Sequence, residues 1–124
     1  MSPRVLVVDD HPTARSALRL LLANEPVEIC GEAKNGKQAV QRVSELHPDV
    51  VILDLVMPEM GGIQAAYEIR RVAPGTKFLY MSIYDSTITR HANLLGPFVP
   101  KSALGDELIP ALRTLIQPPN RLEA

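Results

Sequence analysis

The chain has 124 residues, of which 46% are hydrophobic and 22% are charged, and its net charge is −1. This length and mixture fit one globular domain and exclude a multidomain enzyme and a disordered segment. The balanced charge and the 4% aromatic content argue against direct nucleic-acid binding. Because Cys30 is the single cysteine and no apolar run could cross a bilayer, we expect a cytoplasmic domain with no membrane contact.

The first part of the chain alternates predicted strands with predicted helices. The unbroken apolar run 5–8 is typical of a strand buried on both faces, and apolar residues at helical spacing follow it over 14–22. Residues 27–30 alternate between apolar and polar, which predicts a half-exposed edge strand. A second helical stripe follows over 39–46, so the chain begins as strand, helix, strand, helix.

The second part continues this order through three more units. The runs 50–53 and 78–81 predict buried strands, and helical stripes follow them over 63–69 and 88–95. A short strand between two prolines, at Phe98 and Val99, precedes a last helical stripe that ends at Leu115. Right-handed crossovers then predict an α/β fold of the flavodoxin-like, doubly wound kind. Its five-stranded parallel sheet has the order 2-1-3-4-5, with helices on both faces.

Prolines mark the end of the predicted domain. Pro110 stands inside the last helical stripe, where it predicts a kink or a delayed helix start. Two consecutive prolines, Pro118 and Pro119, cannot extend that helix far. We therefore expect one domain over residues 1–116 and a linker or tail over residues 117–124.

Charged or reactive side chains follow four of the five predicted strands. They are Asp9 and Asp10 after the first strand, Asp54 after the third, Ser82 after the fourth and Lys101 after the fifth. Open parallel sheets bind ligands at the carboxyl ends of their strands, where the strand order reverses. We therefore expect the three carboxylates in one crevice, with the hydroxyl and the ammonium group on its far wall.

This set of side chains indicates phosphoryl chemistry. Three carboxylates in one crevice repel each other, which favours a bound divalent cation. Mg²⁺ takes oxygen ligands and keeps several waters, and a nearby lysine can neutralise a phosphoryl group. Aspartate is a known covalent nucleophile toward phosphoryl groups. The residues predict an aspartyl phosphate formed at a Mg²⁺ site.

Two other features have plainer interpretations. Residues 31–37 match most of a phosphate-binding P-loop, but Gln38 stands where the motif needs Ser or Thr. The strand before this segment is also the predicted edge strand, away from the crevice. His11 lies beside the acidic pair and could touch a ligand there, but we interpret it as a loop residue that precedes Pro12.

Four motifs in order resemble the receiver domain of two-component response regulators. They are VVDDH at 7–11, DLVMPEMGG at 54–62, MS at 81–82 and KSA at 101–103. The similarity runs from about Arg4 to Leu115. The segment GEAKNG at 31–36 also resembles the subfamily whose receivers precede a helix-turn-helix DNA-binding domain.

The resemblance implies roles at the acidic crevice. Asp54 would accept a phosphoryl group from a phosphohistidine of a partner histidine kinase. Asp9 and Asp10 would bind Mg²⁺ together with Asp54, and the backbone carbonyl of Val56 would be a further ligand. The resemblance thus names Mg²⁺ as the cofactor.

It also implies a switch on the opposite wall. Lys101 would contact the phosphoryl group, Ser82 would be the switch hydroxyl and Phe98 the switch aromatic. These two side chains would move together and reshape the output surface. The 19 positions from Ser82 to Lys101 are fewer than the family's usual spacing, which predicts a short or distorted fourth helix.

The leading hypothesis is therefore a phosphoacceptor switch that turns over no external substrate and slowly loses its own phosphoryl group to water. Its partners would be a sensor histidine kinase and an effector, with transcription as the expected output. DNA would be reached only through a separate output domain outside this chain, and a homodimer is compatible with the sequence. The alternative is an unphosphorylated receiver-like interaction module. A phosphohydrolase would need a second aspartate where Val56 stands, and Asp9 and Asp10 would repel a flavin phosphate.

Overall fold

A parallel sheet of five strands lies at the centre of the computed structural model, which describes residues 2–84 and 93–116. The strand order is β2-β1-β3-β4-β5, as predicted. The strands are β1 (Arg4–Val8), β2 (Glu28–Ala33), β3 (Val50–Asp54), β4 (Lys77–Ser82) and β5 (Phe98–Pro100). All four neighbouring pairs are parallel, so every strand ends at the same edge of the sheet. The predicted fold class is confirmed.

Helices connect the strands and cover the sheet. They are α1 (Pro12–Leu22), α2 (Gly36–Leu46), α3 (Gly62–Val72) and α4 (Leu104–Ile116), and a 3₁₀ turn at Lys101–Ala103 leads into α4. The predicted helical stripe 88–95 falls mainly on residues 85–92, which lie outside the described residues, and so does the predicted shortening of that helix. Within residues 2–84 and 93–116, no helix is long and apolar enough to span a membrane.

Alternation of side chains along the strands divides the core into two layers. One layer packs Leu6, Val51 and Tyr80 against apolar residues of α2 and α3. The other packs Ile52 and Met81, with further strand residues, against α1 and α4. Each fully buried aliphatic side chain contributes about 1.5–3 kcal/mol to folding. Both faces of the central strands are therefore apolar, which explains their unbroken hydrophobic runs.

Two predictions about local structure need correction. Strand β2 extends to Ala33, beyond the predicted end at Cys30, because residues 31–33 pair with the last residues of β1. Helix α4 begins at Leu104 and continues through Pro110, so the delayed start is wrong, whereas the alternative of a kink at Pro110 stays a prediction. Pro110 is exposed, and buried Leu108 and Leu112 on either side of it anchor the helix against the sheet. The free energy gained by burying these two leucines outweighs the loss of one helical hydrogen bond at Pro110.

Gly96 allows the segment before β5 to lie directly on β4. A Cβ atom at Gly96 would lie 1.9 Å from the carbonyl oxygen of Phe78. We expect Gly96→Ala to lower the free energy of unfolding by at least about 3 kcal/mol, because the backbone must shift to relieve the overlap. Gly105→Ala is the matched control, since nothing lies within 4 Å of its Cβ position, and it should be neutral or slightly stabilising. Urea unfolding of both variants measures the difference, and equal stabilities would contradict the prediction.

Candidate functional site

The parallel sheet brings the predicted charged residues to one edge. Asp9 follows β1 directly, Asp54 ends β3, and Lys101 follows β5. The Lys101 ammonium Nζ donates hydrogen bonds to Asp9 Oδ2 at 2.7 Å and to Asp54 Oδ2 at 3.0 Å. The lysine side chain is only 17% exposed, so this ion pairing is largely shielded from water. Three side chains that are far apart in the sequence thus meet in one site.

Asp9 is completely buried, and each of its polar groups has a partner. Its backbone N–H donates to the Ala33 carbonyl of β2 at 3.1 Å. Its carboxylate accepts a hydrogen bond from the His11 N–H at Oδ1, at 2.9 Å, in addition to the one from Lys101 at Oδ2. These hydrogen bonds, one of them from a charged ammonium group, fix the orientation of the buried carboxylate. Asp9 therefore acts as a rigid part of the site.

Asp54 lies beside Asp9 in a less favourable environment for its charge. The residue is 5% exposed. Its Oδ1 accepts a hydrogen bond from the Val56 N–H at 3.1 Å. Burial raises the pKa of the Asp54 carboxyl above its ordinary value of 3.8, and the hydrogen bonds from Lys101 and Val56 oppose this only in part. For Lys101, burial acts to lower the pKa, but its bonds to Asp9 and Asp54 outweigh burial and raise it. The lysine therefore remains charged between the two carboxylates.

Asp10 supplies an oxygen that nothing in the described residues satisfies. Its Oδ1 atom is buried and accepts no hydrogen bond within residues 2–84 and 93–116. The His11 Nδ1 atom lies 3.2 Å away, without hydrogen-bond geometry. Ligand atoms of Asp9, Asp10, His11 and Asp54 all lie within 4.8 Å of one another. A free buried carboxylate oxygen in such a cluster fits a hard divalent cation.

A cavity of about 400 Å³ opens over this cluster. It is lined by Asp10, His11, Asp54, Val56, Met57, Pro58, Ile83, Tyr84 and Lys101. Its wall is thus charged at the base and apolar at the rim, where Ile83 is exposed. His11, interpreted from the sequence as a loop residue beside the acidic pair, lies 3.4 Å from Asp9 Oδ1 and 3.2 Å from Asp10 Oδ1 through its Nδ1 atom and lines the cavity. The cavity is wide enough to admit a phosphoryl group.

The two predicted switch residues lie on the neighbouring strands. Ser82 ends β4 and is buried, and its Oγ accepts a hydrogen bond from the Tyr84 N–H at 3.1 Å. Phe98 begins β5, pairs in register with Tyr80, and packs half-buried against the core layer under α2 and α3. The Phe98 ring therefore lies on the same core layer as the Tyr80 side chain. The switch roles of Ser82 and Phe98 stay predictions.

Comparison with known proteins gives a consistent result. The family model described as the response regulator receiver domain matches residues 5–110. The chemotaxis protein CheY of Thermotoga maritima is 43% identical over 82 residues, which cover 66% of this chain and 68% of that protein. The transcriptional regulatory protein DegU of Brevibacillus brevis is 30% identical over 118 residues, covering 92% of this chain and 50% of that protein. The chain therefore spans about half the length of that regulator.

Solved structures agree with these sequence matches. A LuxR-family two-component response regulator from Aurantimonas sp. superposes with a TM-score of 0.84 at 29% identity, covering 93% of this chain and 85% of that chain. The signal receiver domain of the response regulator NarL from Mycobacterium tuberculosis has a TM-score of 0.81 at 33% identity, covering 94% of this chain and 98% of that chain. The response regulator protein TrrA of Thermotoga maritima, solved with Mg²⁺-BeF, also has a TM-score of 0.81 at 33% identity, covering 94% and 100%.

A doubly wound sheet that gathers acidic side chains and a lysine at its carboxyl edge provides a site for a divalent cation and an anionic group. The chain belongs to the response regulator receiver domain family. Members of this family are the phosphoacceptor switches of two-component systems, and the receiver itself turns over no external substrate. The recognition made from the four sequence motifs is confirmed.

Proposed function

We propose that Asp54 is the phosphoacceptor of this receiver. The observation that carries the proposal is the hydrogen bond between its buried carboxylate and Lys101 in a cavity. The neighbouring Asp10 Oδ1 atom has no hydrogen-bond partner within residues 2–84 and 93–116. Asp54 lines the cavity from the end of β3, whereas Asp9 is absent from the cavity wall and fully bonded. Asp54 is therefore the carboxylate that an incoming phosphoryl group can reach.

The transfer forms one bond and breaks one. An Asp54 carboxylate oxygen forms a bond to phosphorus, and the phosphorus–nitrogen bond of the kinase phosphohistidine breaks. The electron pair of that bond stays on the imidazole, which takes up a proton as it leaves. Lys101, already 3.0 Å from Asp54, is placed to donate a hydrogen bond to a phosphoryl oxygen. Little other machinery is needed, because phosphoryl transfer depends mainly on positioning and charge neutralisation.

Mg²⁺ fits this site as its cofactor. Asp9, Asp10, Asp54 and the backbone carbonyl of Val56 would hold the ion, and Asp10 has the free oxygen for it. When bound, Mg²⁺ neutralises negative charge on the phosphoryl oxygens. The Mg²⁺-BeF complex of the TrrA relative supports this assignment.

The proposal extends to signalling partners. A sensor histidine kinase is the proposed phosphodonor, and a conformational change through Ser82 and Phe98 is the proposed output. The Bacillus subtilis transcriptional regulatory protein YdfI, 48% identical over 68 residues, supports transcription as the regulated process, although the match covers 32% of that protein. We assign any DNA contact to a separate output domain. Homodimerisation is a compatible second output. The proposed location is the cytoplasm.

The proposed function predicts Mg²⁺-dependent phosphorylation of the isolated chain. Incubation with a small phosphodonor and Mg²⁺ should add the mass of one phosphoryl group, measured by intact-protein mass spectrometry. Chelation of the metal should slow the reaction at least about 100-fold, because the cation neutralises several kcal/mol of developing charge. Asp10→Asn should likewise slow the reaction in the presence of Mg²⁺, because it removes a proposed metal ligand. A chain that neither gains mass nor binds Mg²⁺ would instead be the unphosphorylated interaction module.

A further inference from the structure

An arginine on α1 reaches back to the acidic turn. The Arg15 Nη1 atom donates a hydrogen bond to the backbone carbonyl of Asp9 at 2.6 Å, and its Nε atom donates to Glu32 Oε1 at 2.7 Å. The Arg15 side chain is 17% exposed, so both contacts are partly shielded from solvent. Arg15 thus connects helix α1, the edge strand β2 and the turn between β1 and α1. None of these contacts involves the phosphoacceptor itself.

The Asp9 carbonyl controls where Asp10 lies. The peptide unit from Asp9 Cα to Asp10 Cα is planar, so a hydrogen bond to this carbonyl fixes the plane that leads into Asp10. The N–H of Asp9 is already held by Ala33, and its carboxylate by His11 and Lys101. Arg15 completes this set at the carbonyl. The turn is therefore held on both sides, while the Asp10 Oδ1 atom has no hydrogen-bond partner in the part of the chain that the structure describes.

Glu32 reduces the positive charge that Arg15 places near the proposed cation site. An arginine alone would repel a divalent cation, but Glu32 accepts hydrogen bonds from both Arg15 and Arg19. The bond from Arg19, together with that from Arg15, outweighs burial and holds the pKa of Glu32 below its usual value, so the carboxylate remains ionised. Its negative charge offsets one of the two positive charges of Arg15 and Arg19. Arg15 is thereby suited to a geometric role more than to an electrostatic one.

We propose that Arg15, held by Glu32, is a positioning residue that orients the Asp9–Asp10 turn for divalent-cation binding. The inference rests on the proposed Mg²⁺ site. Residues that orient metal ligands through hydrogen bonds change metal affinity by about 10–100-fold when they are replaced. Charge alone predicts the opposite sign, because removal of a positive group near the site should tighten cation binding. The direction of the change therefore separates a positioning role from an electrostatic one.

The test is calorimetric titration of the 124-residue chain with Mg²⁺, with thermal unfolding measured in the absence of metal. Arg15→Gln should weaken Mg²⁺ binding about tenfold or more. Arg15→Lys should weaken it less, since the lysine ammonium can still donate a hydrogen bond to one of the two partners but lacks the fork that reaches both. Arg19→Gln is the matched control, because Arg19 bonds the same carboxylate at Oε2 from the same helix. It should leave Mg²⁺ affinity within about twofold of wild type.

Unchanged or tighter Mg²⁺ binding by Arg15→Gln would overturn the inference, and so would equal weakening by Arg19→Gln. If Arg15→Gln does not fold, the Mg²⁺ affinity of Arg15→Lys is compared with those of wild type and Arg19→Gln instead, and the same outcomes apply. Failure of the wild-type chain to bind Mg²⁺ or to gain a phosphoryl group would overturn the proposed function together with the inference. If the wild-type chain binds Mg²⁺ and Arg15→Gln binds it with unchanged affinity, only the role of Arg15 is overturned.

Discussion

Replacing Asp54 with asparagine should abolish phosphorylation while leaving the fold intact. The Asp54→Asn variant would keep the size of the side chain but lose the nucleophilic carboxylate, so phosphoryl gain should fall below about one hundredth of the wild-type rate. The fold should not weaken, because burial raises the pKa of Asp54 and the folded state thus disfavours its charge. Intact-protein mass spectrometry measures the first effect, and thermal unfolding at neutral pH measures the second.

Asp106→Asn provides the control for this substitution. Asp106 is an exposed residue of the first turn of α4 and does not line the cavity, so its variant should gain a phosphoryl group at the wild-type rate. Undiminished mass gain in the Asp54→Asn variant would show that another residue is modified and would overturn the assignment of the phosphoacceptor. A large loss of stability in Asp54→Asn would contradict the effect of burial on its charge.

Removal of the lysine ammonium should destabilise the fold strongly at neutral pH. Lys101→Met leaves the carboxylates of Asp9 and Asp54 buried side by side without their shared cation, a loss of about 3 kcal/mol. The pKa of Asp54, already raised by burial, should rise further without the hydrogen bond from Lys101. Urea unfolding of wild type and variant over a range of pH measures both effects. Lys77→Met is a control, because the exposed Lys77 side chain donates only to the Leu115 carbonyl among residues 2–84 and 93–116.

The pH dependence of this loss has a defined sign. A carboxyl whose pKa is higher in the folded than in the unfolded chain binds more protons when folded, so the stability falls as the pH rises through that interval. The deficit of Lys101→Met should therefore be largest at neutral pH and shrink as the pH falls toward the ordinary Asp value of 3.8. Combining Lys101→Met with Asp54→Asn should recover part of the stability at neutral pH. A deficit independent of pH would show that lost packing, not unpaired charge, destabilises the variant.

The strands and the site residues at their ends were predictable because their signals are local. Three strands buried on both faces show unbroken apolar runs, and the carboxyl end of a parallel strand is the next residue along the chain. Asp9, Asp54 and Lys101 could thus be assigned to one edge once the sheet order was inferred. Their mutual hydrogen bonds confirm that these three side chains meet.

Features that depend on partners distant in the sequence could not be predicted in this way. The residues 31–33 carry no strand signal of their own, and they join β2 because the backbone of β1 offers hydrogen bonds to them. Pro110 argued for a late helix start, but the burial of its neighbours on the sheet outweighs the local cost. In each case tertiary packing overrides a weaker local preference.

The amino-acid order alone was enough to specify the strand–helix alternation, the acidic and basic residues at the strand ends, and the family to which they belong. Folding added the arrangement that makes those residues a site: the Asp10 oxygen that has no hydrogen-bond partner among the described residues, the His11 ring beside it, and the bond from Arg15 to the Asp9 carbonyl. The physical reason is one of range. Periodic burial and turn chemistry act over a few residues, whereas hydrogen bonds between elements require the three-dimensional arrangement of the whole sheet.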